Sequence, residues 1–451
     1  MKFLFLLSFF FVTIFQCQAQ LIKVDYSSKN NDSIINYLSA ISDKKIKKLT
    51  TNKSNEIKKI ILERKKEFIK NITDSNFVFN NDISKYLTSI LKEIYQSNSN
   101  ITNQDFYFFI DKSPIPNAAC YGNGVFTVNL GLFNFVNSDD ELAFIMCHEI
   151  AHFILEHGDK NLMKYIETKN SKETKNKINE LKKQEYGKRK SYSEFMEKIN
   201  YNFLKRSRAD EIEADSLGYL LFSKTKFNKS SSIKALKNLQ LSDEIVFNDN
   251  SKIKEHFNFE NYPFNENWIV KEDVLFNIKS SSNDYLSNKD SLKTHPDMPV
   301  RIDILNKLIN EKKEVKESND KLKEIKSLIS LLSISNFIDD KKIDFALYKT
   351  LTLYNKKEIN EDSYNLLVSS LLIKLYELKF NHNFGKYVSP ISPFSEEENL
   401  NEVKLFLQNL ELKNIKKIGY HFCLKHNEDM KNNIDFEKTS QYFNNLNAKT
   451  N

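Results

Sequence analysis

Glycine and proline are scarce in this chain of 451 residues, which contains eight glycines and seven prolines. Because these two residues supply the backbone conformations of tight turns, their scarcity argues against a turn-rich β architecture. Asn, Lys, Ile and Ser are abundant instead, and this composition predicts a mainly helical protein. The length exceeds that of a typical single core, so we expect two domains.

Cysteine is also scarce, with four residues in the whole chain. Removal of an N-terminal segment that contains Cys17 would leave Cys120, Cys147 and Cys423. An odd number of cysteines argues against a disulfide framework that holds the fold together. One bridge between Cys120 and Cys147 remains open.

Charge of one sign does not dominate, because 60 acidic residues nearly balance 67 basic ones. The net charge of +7 is therefore diluted over a long chain and does not indicate a nucleic-acid partner. Basic runs such as Lys188-Arg189-Lys190 are typical of solvated helices.

Long apolar runs are restricted to the N-terminus, where Lys2 precedes an apolar stretch over residues 3–15. This stretch is too short to span a bilayer and is typical of a signal peptide. Small residues at positions 17 and 19 favour cleavage before Gln20, which makes residues 1–19 the signal peptide. We therefore expect an exported protein, either periplasmic or secreted.

A lipid anchor on Cys17 is the alternative, but Phe15 and Gln16 are not the small residues that normally precede a lipidated cysteine. No later segment reaches the roughly 18 apolar residues of a membrane helix. The mature chain is therefore expected to be soluble, with no integral membrane segment.

Periodicity of apolar residues predicts the first secondary-structure elements. Residues 20–74 form a lysine-rich helical leader of uncertain packing, and residues 82–96 show the spacing of an amphipathic helix. Aromatic and apolar runs at residues 106–110 and 125–130 are typical of buried strands.

A helix start is predicted at Ser138, because Glu141 follows three residues later as in a capping box. Apolar residues cover most of this helix, so it must be buried, and Gly158 is its expected C-terminal cap. Polar side chains in a buried helix need partners, which draws attention to the segment 148–152.

The rest of the chain is also predicted to be helical. Residues 159–206 form a lysine-rich insertion of solvated helices or a mobile arm. Beyond residue 312 the helical segments fall at residues 322–334, 343–354, 364–378 and 395–412. A degenerate array of helical hairpins is an open alternative for this region.

The segment His148-Glu149-Ile150-Ala151-His152 carries the strongest chemical signal. Positions i and i+4 share one face of a helix, so His148 and His152 can direct two imidazole nitrogens at one metal ion. Glu149 lies next to that face, where its carboxylate can accept a proton from water. This is the arrangement of a hydrolytic metal site.

A catalytic zinc ion needs a third protein ligand, and Glu211 is the best candidate. If the segment around it is helical, Asp215 lies one turn further on the same face and can hydrogen-bond a ligand histidine. Glu213 points elsewhere and is expected at the surface.

These motifs resemble the zinc metalloproteases that include CAAX prenyl proteases, HtpX-like heat-shock proteases, Oma-type proteases and BepA. In that family an HExxH helix is followed, after a variable insertion, by an ExxxD helix, here Glu211 to Asp215. Arg208 and Gly218 also match positions of the family's pattern. Arg208 is expected to stabilise the metal ligands without binding the metal itself. The resemblance covers roughly residues 75–312.

Two further elements follow from this resemblance. The strand containing Gly124, Val125 and Phe126 resembles the family's edge strand, which could pair with an extended substrate. His295, followed by Pro296, resembles a histidine that contacts the reacting carbonyl or caps the zinc in a latent state.

The resemblance implies a zinc-dependent metalloendopeptidase with one Zn²⁺ per chain and polypeptide substrates, with envelope proteins under quality control as the expected clients. The implied fold class is α+β and mainly helical. A gluzincin-type domain with a small β-sheet occupies residues 75–312, and an all-helical C-terminal domain at residues 313–451 is the place for a client or partner. The alternative is a latent or non-proteolytic zinc-containing chaperone or adaptor that acts through this C-terminal region.

Overall fold

The computed structural model describes most of the chain, namely residues 31–47, 49, 54–183, 186–187, 191, 208–241, 247–271, 298–309, 320–391 and 397–448. The predictions about the signal peptide, Cys17 and His295 concern residues outside these ranges. Within them the fold is α+β and mainly helical, as predicted.

Contacts divide the chain into two compact units. The first unit comprises Val24–Val246 and Ser282–Asn336, and the second includes Phe247–Ser281 and Phe337–Asn451. These units differ from the predicted domains, because residues 247–281 group with the C-terminal helices. The domain boundaries at residues 75 and 312 stay a prediction.

The described helices are, in chain order, α1 Asn31–Lys47, α2 Ser54–Thr73, α3 Asn81–Ser97, α4 Asp139–Ile154, α5 His157–Asn170, α6 Lys172–Lys183, α7 residues 208–223, α8 Ser231–Gln240, α9 Ile253–His256, α10 Met298–Leu308, α11 Asp320–Asp339, α12 Ile343–Asn355, α13 Glu361–Phe380, α14 Phe384–Tyr387, α15 Glu398–Asn409, α16 Leu412–Lys425 and α17 Ile434–Ala448. None of them is both long and apolar enough to cross a bilayer.

One four-stranded sheet lies in the first unit, in the order β1-β2-β4-β3. The strands are β1 Phe77–Val78, β2 Tyr107–Asp111, β3 Ala118–Gly122 and β4 Val125–Asn129. β2 and β4 are parallel, whereas β1 pairs with β2 and β3 with β4 in antiparallel fashion. The two predicted strands are confirmed to within one residue as β2 and β4.

The position of β4 in the sheet corrects one prediction. β4 lies between β2 and β3, and Val125 and Phe126 are buried, so the segment Gly124–Phe126 is not an edge strand. The prediction that this segment is an edge strand was wrong, because the chain after β2 crosses to the outer side of β4 before it returns. In the sheet as described, the corresponding edge is β3.

The helical leader packs onto the sheet and onto α5. Phe68 and Ile72 of α2 share a core cluster with Phe109 of β2. Ile61 of the same helix joins a second cluster with Ile166 of α5. The leader is therefore part of the core of the first unit, and α5 in the lysine-rich insertion has a buried face.

Helix α4 begins as predicted but ends earlier. The Ser138 hydroxyl accepts a hydrogen bond from the Glu141 backbone N–H, and the Glu141 carboxylate accepts one from the backbone of Asn137. The helix ends at Ile154, because Glu156 adopts a left-handed conformation with φ of 56°. The prediction of a cap at Gly158 was therefore wrong by two residues.

The described residues of the second unit form helices, with one isolated β-bridge between Phe259 and Tyr262. Three of the predicted segments are confirmed as α11, α12 and α13, of which α11 begins in the first unit. The fourth predicted segment, at residues 395–412, is shorter as α15, because Leu410 is extended and Glu411 caps a new helix. Helices α16 and α17 were not predicted.

Candidate metal centre

Three donor side chains converge where α4 meets α7. His148 and His152 lie one turn apart on α4, and Glu211 projects from α7. The two Nε2 atoms are 3.0 Å apart. The carboxylate oxygens of Glu211 lie 3.5 Å from Nε2 of His148 and 3.3 Å from Nε2 of His152. The structure thus brings together the three residues that the sequence assigns as metal ligands.

The spacing of these donors fits a zinc ion. With zinc–ligand bonds of about 2.0–2.1 Å, two ligands of a tetrahedral ion lie about 3.3 Å apart. The three separations between His148, His152 and Glu211 are 3.0, 3.3 and 3.5 Å, all within about 0.3 Å of that value. Among the described residues, three side chains can bind the ion. A tetrahedral zinc ion would then keep its fourth coordination position for water or substrate.

Asp215 fixes the orientation of His148. Its Oδ1 lies 2.9 Å from Nδ1 of His148, and this close contact turns the ring so that Nε2 faces Glu211. Asp215 lies one helical turn beyond Glu211, which places both carboxylates on the same face of α7.

Arg301 of α10 connects the two carboxylates. Its Nε and Nη2 donate to the two oxygens of Asp215 at 2.6 and 2.8 Å, in a bidentate pair. Its Nη1 lies 2.9 Å from Oε2 of Glu211. Arg301 thus holds Oε2 of Glu211 and leaves Oε1 directed toward His152.

Burial and neighbouring charges have opposite effects on the pKa values of His148 and Asp215. Burial lowers the pKa of His148, but hydrogen bonds to Asp215 and Glu211 outweigh it and raise the pKa to about 10. Burial raises the pKa of Asp215, but Arg301 and His148 outweigh it and hold the pKa below its ordinary value. The site therefore stabilises positive charge next to its carboxylates.

Glu149 is buried beside these donors. It lines a cavity of about 20 Å³ together with His148, Arg301 and Ala118 of β3. The other residues around this cavity are apolar, namely Leu132, Phe144, Ile145, Leu236 and Leu239. A carboxylate in such a position can exchange a proton with a small polar group beside it.

The remaining predicted residues fall at different places. Arg208 begins α7 and is half-buried, Glu213 is exposed on the same helix, and His295 lies outside the described residues. Cys120 and Cys147 are free thiols, so the possible bridge between them is not formed.

Sequence reasoning did not single out His157. Its Nδ1 lies 2.8 Å from Nδ1 of His152. A spacing of five residues does not mark one face of a helix, so periodicity gave no signal for this contact. The contacts of Arg301 to Asp215 and Glu211 appear only in the folded chain.

A second group of potential ligands lies in the second unit. Atoms of Glu361, His426 and Asp429 are within 4.8 Å of one another. His426 Nδ1 is 3.9 Å from the Glu361 carboxylate, and both acidic residues are exposed. This spacing is looser than that of the first group, and exposed carboxylates alone do not indicate a metal site.

Comparison with known families gives one match. The family model described as peptidase family M48 matches residues 83–309, which is half of the chain. The match spans most of α3, the strands β2 to β4 and all residues assigned above to the metal centre, but not the leader helices α1 and α2. No protein of curated function matches the chain.

Proposed function

Because the chain belongs to peptidase family M48, we propose that it is a zinc-dependent endopeptidase that hydrolyses peptide bonds within polypeptides. The observation that carries this proposal is the convergence of His148, His152 and Glu211 at tetrahedral spacing, with the buried carboxylate of Glu149 beside them. Two imidazoles and one carboxylate are a donor set that zinc favours.

The proposed reaction is the addition of water to a peptide bond. Bound zinc supplies a Lewis acid that polarises the substrate carbonyl and makes water more acidic. The Glu149 carboxylate accepts a proton from water as the oxygen attacks the carbonyl carbon. It then returns the proton to the amide nitrogen as the C–N bond breaks, which yields a carboxylic acid and an amine. The acid proton passes to the amine, so the final products are a carboxylate and an ammonium group.

The neighbouring residues keep the donors in place for this reaction. Asp215 holds the His148 ring, and Arg301 holds one oxygen of Glu211. Both are almost fully buried, so water does not compete for these contacts. The predicted role of His295 in stabilising the oxyanion remains part of the proposal.

We assign substrate binding to β3 rather than β4. A polypeptide that adds to a sheet edge gains main-chain hydrogen bonds with little dependence on its sequence. Ala118 of β3 lines the same cavity as Glu149, so a chain along β3 passes close to this carboxylate. This placement supports unfolded polypeptides as the substrate class.

The location of the enzyme is proposed from the predicted signal peptide at residues 1–19. Export would bring the enzyme to unfolded envelope or secreted proteins. A role in their quality control rests on that prediction.

A metal-dependence assay tests the proposed activity. Purified protein starting at Gln20 is expected to contain one zinc ion per chain and to cut unfolded casein at internal bonds. Chelation should stop cleavage, and added zinc should restore it. Intact casein after incubation with the fully zinc-loaded protein would contradict the proposal.

A further inference from the structure

We propose that His157 is a positioning residue for the metal centre, which accepts the Nδ1–H of His152 and donates its own Nε2–H toward Glu213. The two Nδ1 atoms are 2.8 Å apart, and His157 Nε2 lies 3.4 Å from the Glu213 carboxylate. This inference rests on the proposed function, because it assigns His152 to the metal.

A break in the helix creates this contact. α4 ends at Ile154, and the left-handed conformation of Glu156 turns the chain so that α5 begins at His157. The His157 ring then lies against His152 in an edge-on arrangement, with centroids 4.9 Å apart and an interplanar angle of 73°. His157 is buried, so water competes little for the hydrogen bond.

One assignment of the imidazole protons to the ring nitrogens satisfies all of these contacts. His152 has its Nε2 toward His148 and Glu211, so as a neutral ligand it carries its proton on Nδ1. Only one proton fits between two Nδ1 atoms at 2.8 Å, so His157 Nδ1 is the acceptor.

The proton of neutral His157 is then on Nε2. This nitrogen faces Glu213 at 3.4 Å and Asp210 at 4.0 Å. The two carboxylates favour this tautomer, because each can accept or attract the Nε2–H. The tautomer of His152 is therefore fixed through His157 by charges on α7.

Each ligand histidine thus has its own partner on Nδ1. His148 uses the buried carboxylate of Asp215, whereas His152 uses the imidazole of His157. Such partners orient the ligand ring and raise its basicity. The metal centre consequently depends on the first residue of α5, which the HExxH segment does not include.

A second contact anchors α5 independently of His157. Asn161, one turn along α5, donates to Asp210 of α7 at 2.7 Å. This hydrogen bond and the buried contacts of Ile166 should keep α5 in place when the imidazole of His157 is replaced. The role of the imidazole can therefore be tested separately from the position of the helix.

The test compares zinc affinity by chelator competition in the wild type, His157→Asn and His157→Leu. Leu keeps the apolar volume without an acceptor and is expected to weaken zinc binding by about 10- to 100-fold. Asn retains an acceptor oxygen near the position of Nδ1 and should restore most of the affinity. Thermal unfolding of the metal-free variants shows whether either substitution disturbs the fold.

A spectroscopic test uses the unmodified protein. With ¹⁵N-labelled histidine in the zinc-loaded wild type, NMR should show His157 protonated at Nε2 alone and His152 protonated at Nδ1. Protonation of His157 at Nδ1 would overturn the inference. Wild-type zinc affinity in a folded His157→Leu variant would do the same.

Neither readout depends on proteolysis. A zinc-loaded wild type that does not cut casein would contradict the proposed peptidase activity and still leave both measurements decisive for His157. If His157→Leu does not fold, the NMR spectrum of the wild type decides.

Discussion

Gly218 of α7 packs directly against the backbone of His148 in α4. A Cβ atom at position 218 would lie 2.9 Å from Cα and 3.0 Å from the backbone nitrogen of His148. Only glycine permits this approach, because the atoms in contact are backbone atoms that cannot rotate away. The crossing of the two helices, and hence the distance from Glu211 to the histidines, depends on this glycine.

Gly218→Ala is therefore expected to push α7 away from α4 and to move Glu211 from its ligand position. A misplacement of about 1 Å can reduce turnover by about 100-fold. Chelator competition and casein cleavage would measure the loss of zinc affinity and of activity. The matched control is Gly385→Ala, where a Cβ meets no atom within 4 Å, and an equal loss in both variants would contradict this account.

Arg301→Met should destabilise the fold strongly. The substitution removes the partner of the buried Asp215 carboxylate, and breaking a buried ion pair in this way costs about 3–5 kcal/mol. Lys307→Met on the same helix removes an exposed pair with Asp303 and should cost less than about 1 kcal/mol. Urea denaturation measures both, and similar midpoints for the two variants would show that Arg301 does not stabilise the first unit.

The leader helix α2 is predicted to stabilise the first unit through Phe68. Its ring lies 4.9 to 5.3 Å from those of Phe77, Phe109 and Tyr121. Phe68→Ala should cost about 3–5 kcal/mol in free energy of unfolding, because it leaves a cavity in this cluster. Leu62→Ala on the same helix removes a side chain that is 37% exposed and should cost far less. Equal stability of the two variants would mean that the leader does not pack as described.

His426 should make the protein less stable in acid. Burial, followed by the charge of Lys425, lowers its pKa from 6.5 to about 4. The unfolded chain therefore binds more protons between these values, so the stabilising contribution is present above pH 6.5 and is lost as the pH falls toward 4. The full loss is about 3.5 kcal/mol, because the pKa falls from 6.5 to about 4 and each pKa unit corresponds to about 1.4 kcal/mol.

The measurement is the midpoint temperature of thermal unfolding for the wild type and for His426→Gln at pH 7 and pH 4.5. The variant should lose less stability on acidification, because its amide does not titrate. Parallel pH dependence in both proteins would exclude His426 as a source of acid sensitivity.

Local chemistry explains why part of this structure could be predicted. Ser138 and Glu141 indicate the start of α4, and the spacing of His148 and His152 places both residues on one face of this helix. These features depend on residues within one or two turns of each other. A helix over Glu211 and Asp215 was expected from the resemblance to the ExxxD helix of the family, and α7 contains both residues.

The parts that could not be predicted depend on distant residues. β4 was taken for an edge strand, because nothing local shows that β2 pairs with it in parallel across a crossing loop. A Cβ at Gly131 would lie 2.0 Å from the carbonyl oxygen of Pro114, a contact that appears only once that loop is folded. The contact between His152 and His157 similarly depends on the break at Glu156, which α5 stabilises through its packing.

The most direct test of the proposed function compares Glu149→Gln with Glu167→Gln, an exposed carboxylate on α5 that serves as the control. Both variants should bind one zinc ion, because neither residue is a metal ligand. Casein cleavage should fall at least 100-fold in Glu149→Gln, which cannot accept the proton, and stay at the wild-type level in Glu167→Gln. Wild-type cleavage by zinc-loaded Glu149→Gln would contradict the central claim that this carboxylate drives the hydrolysis.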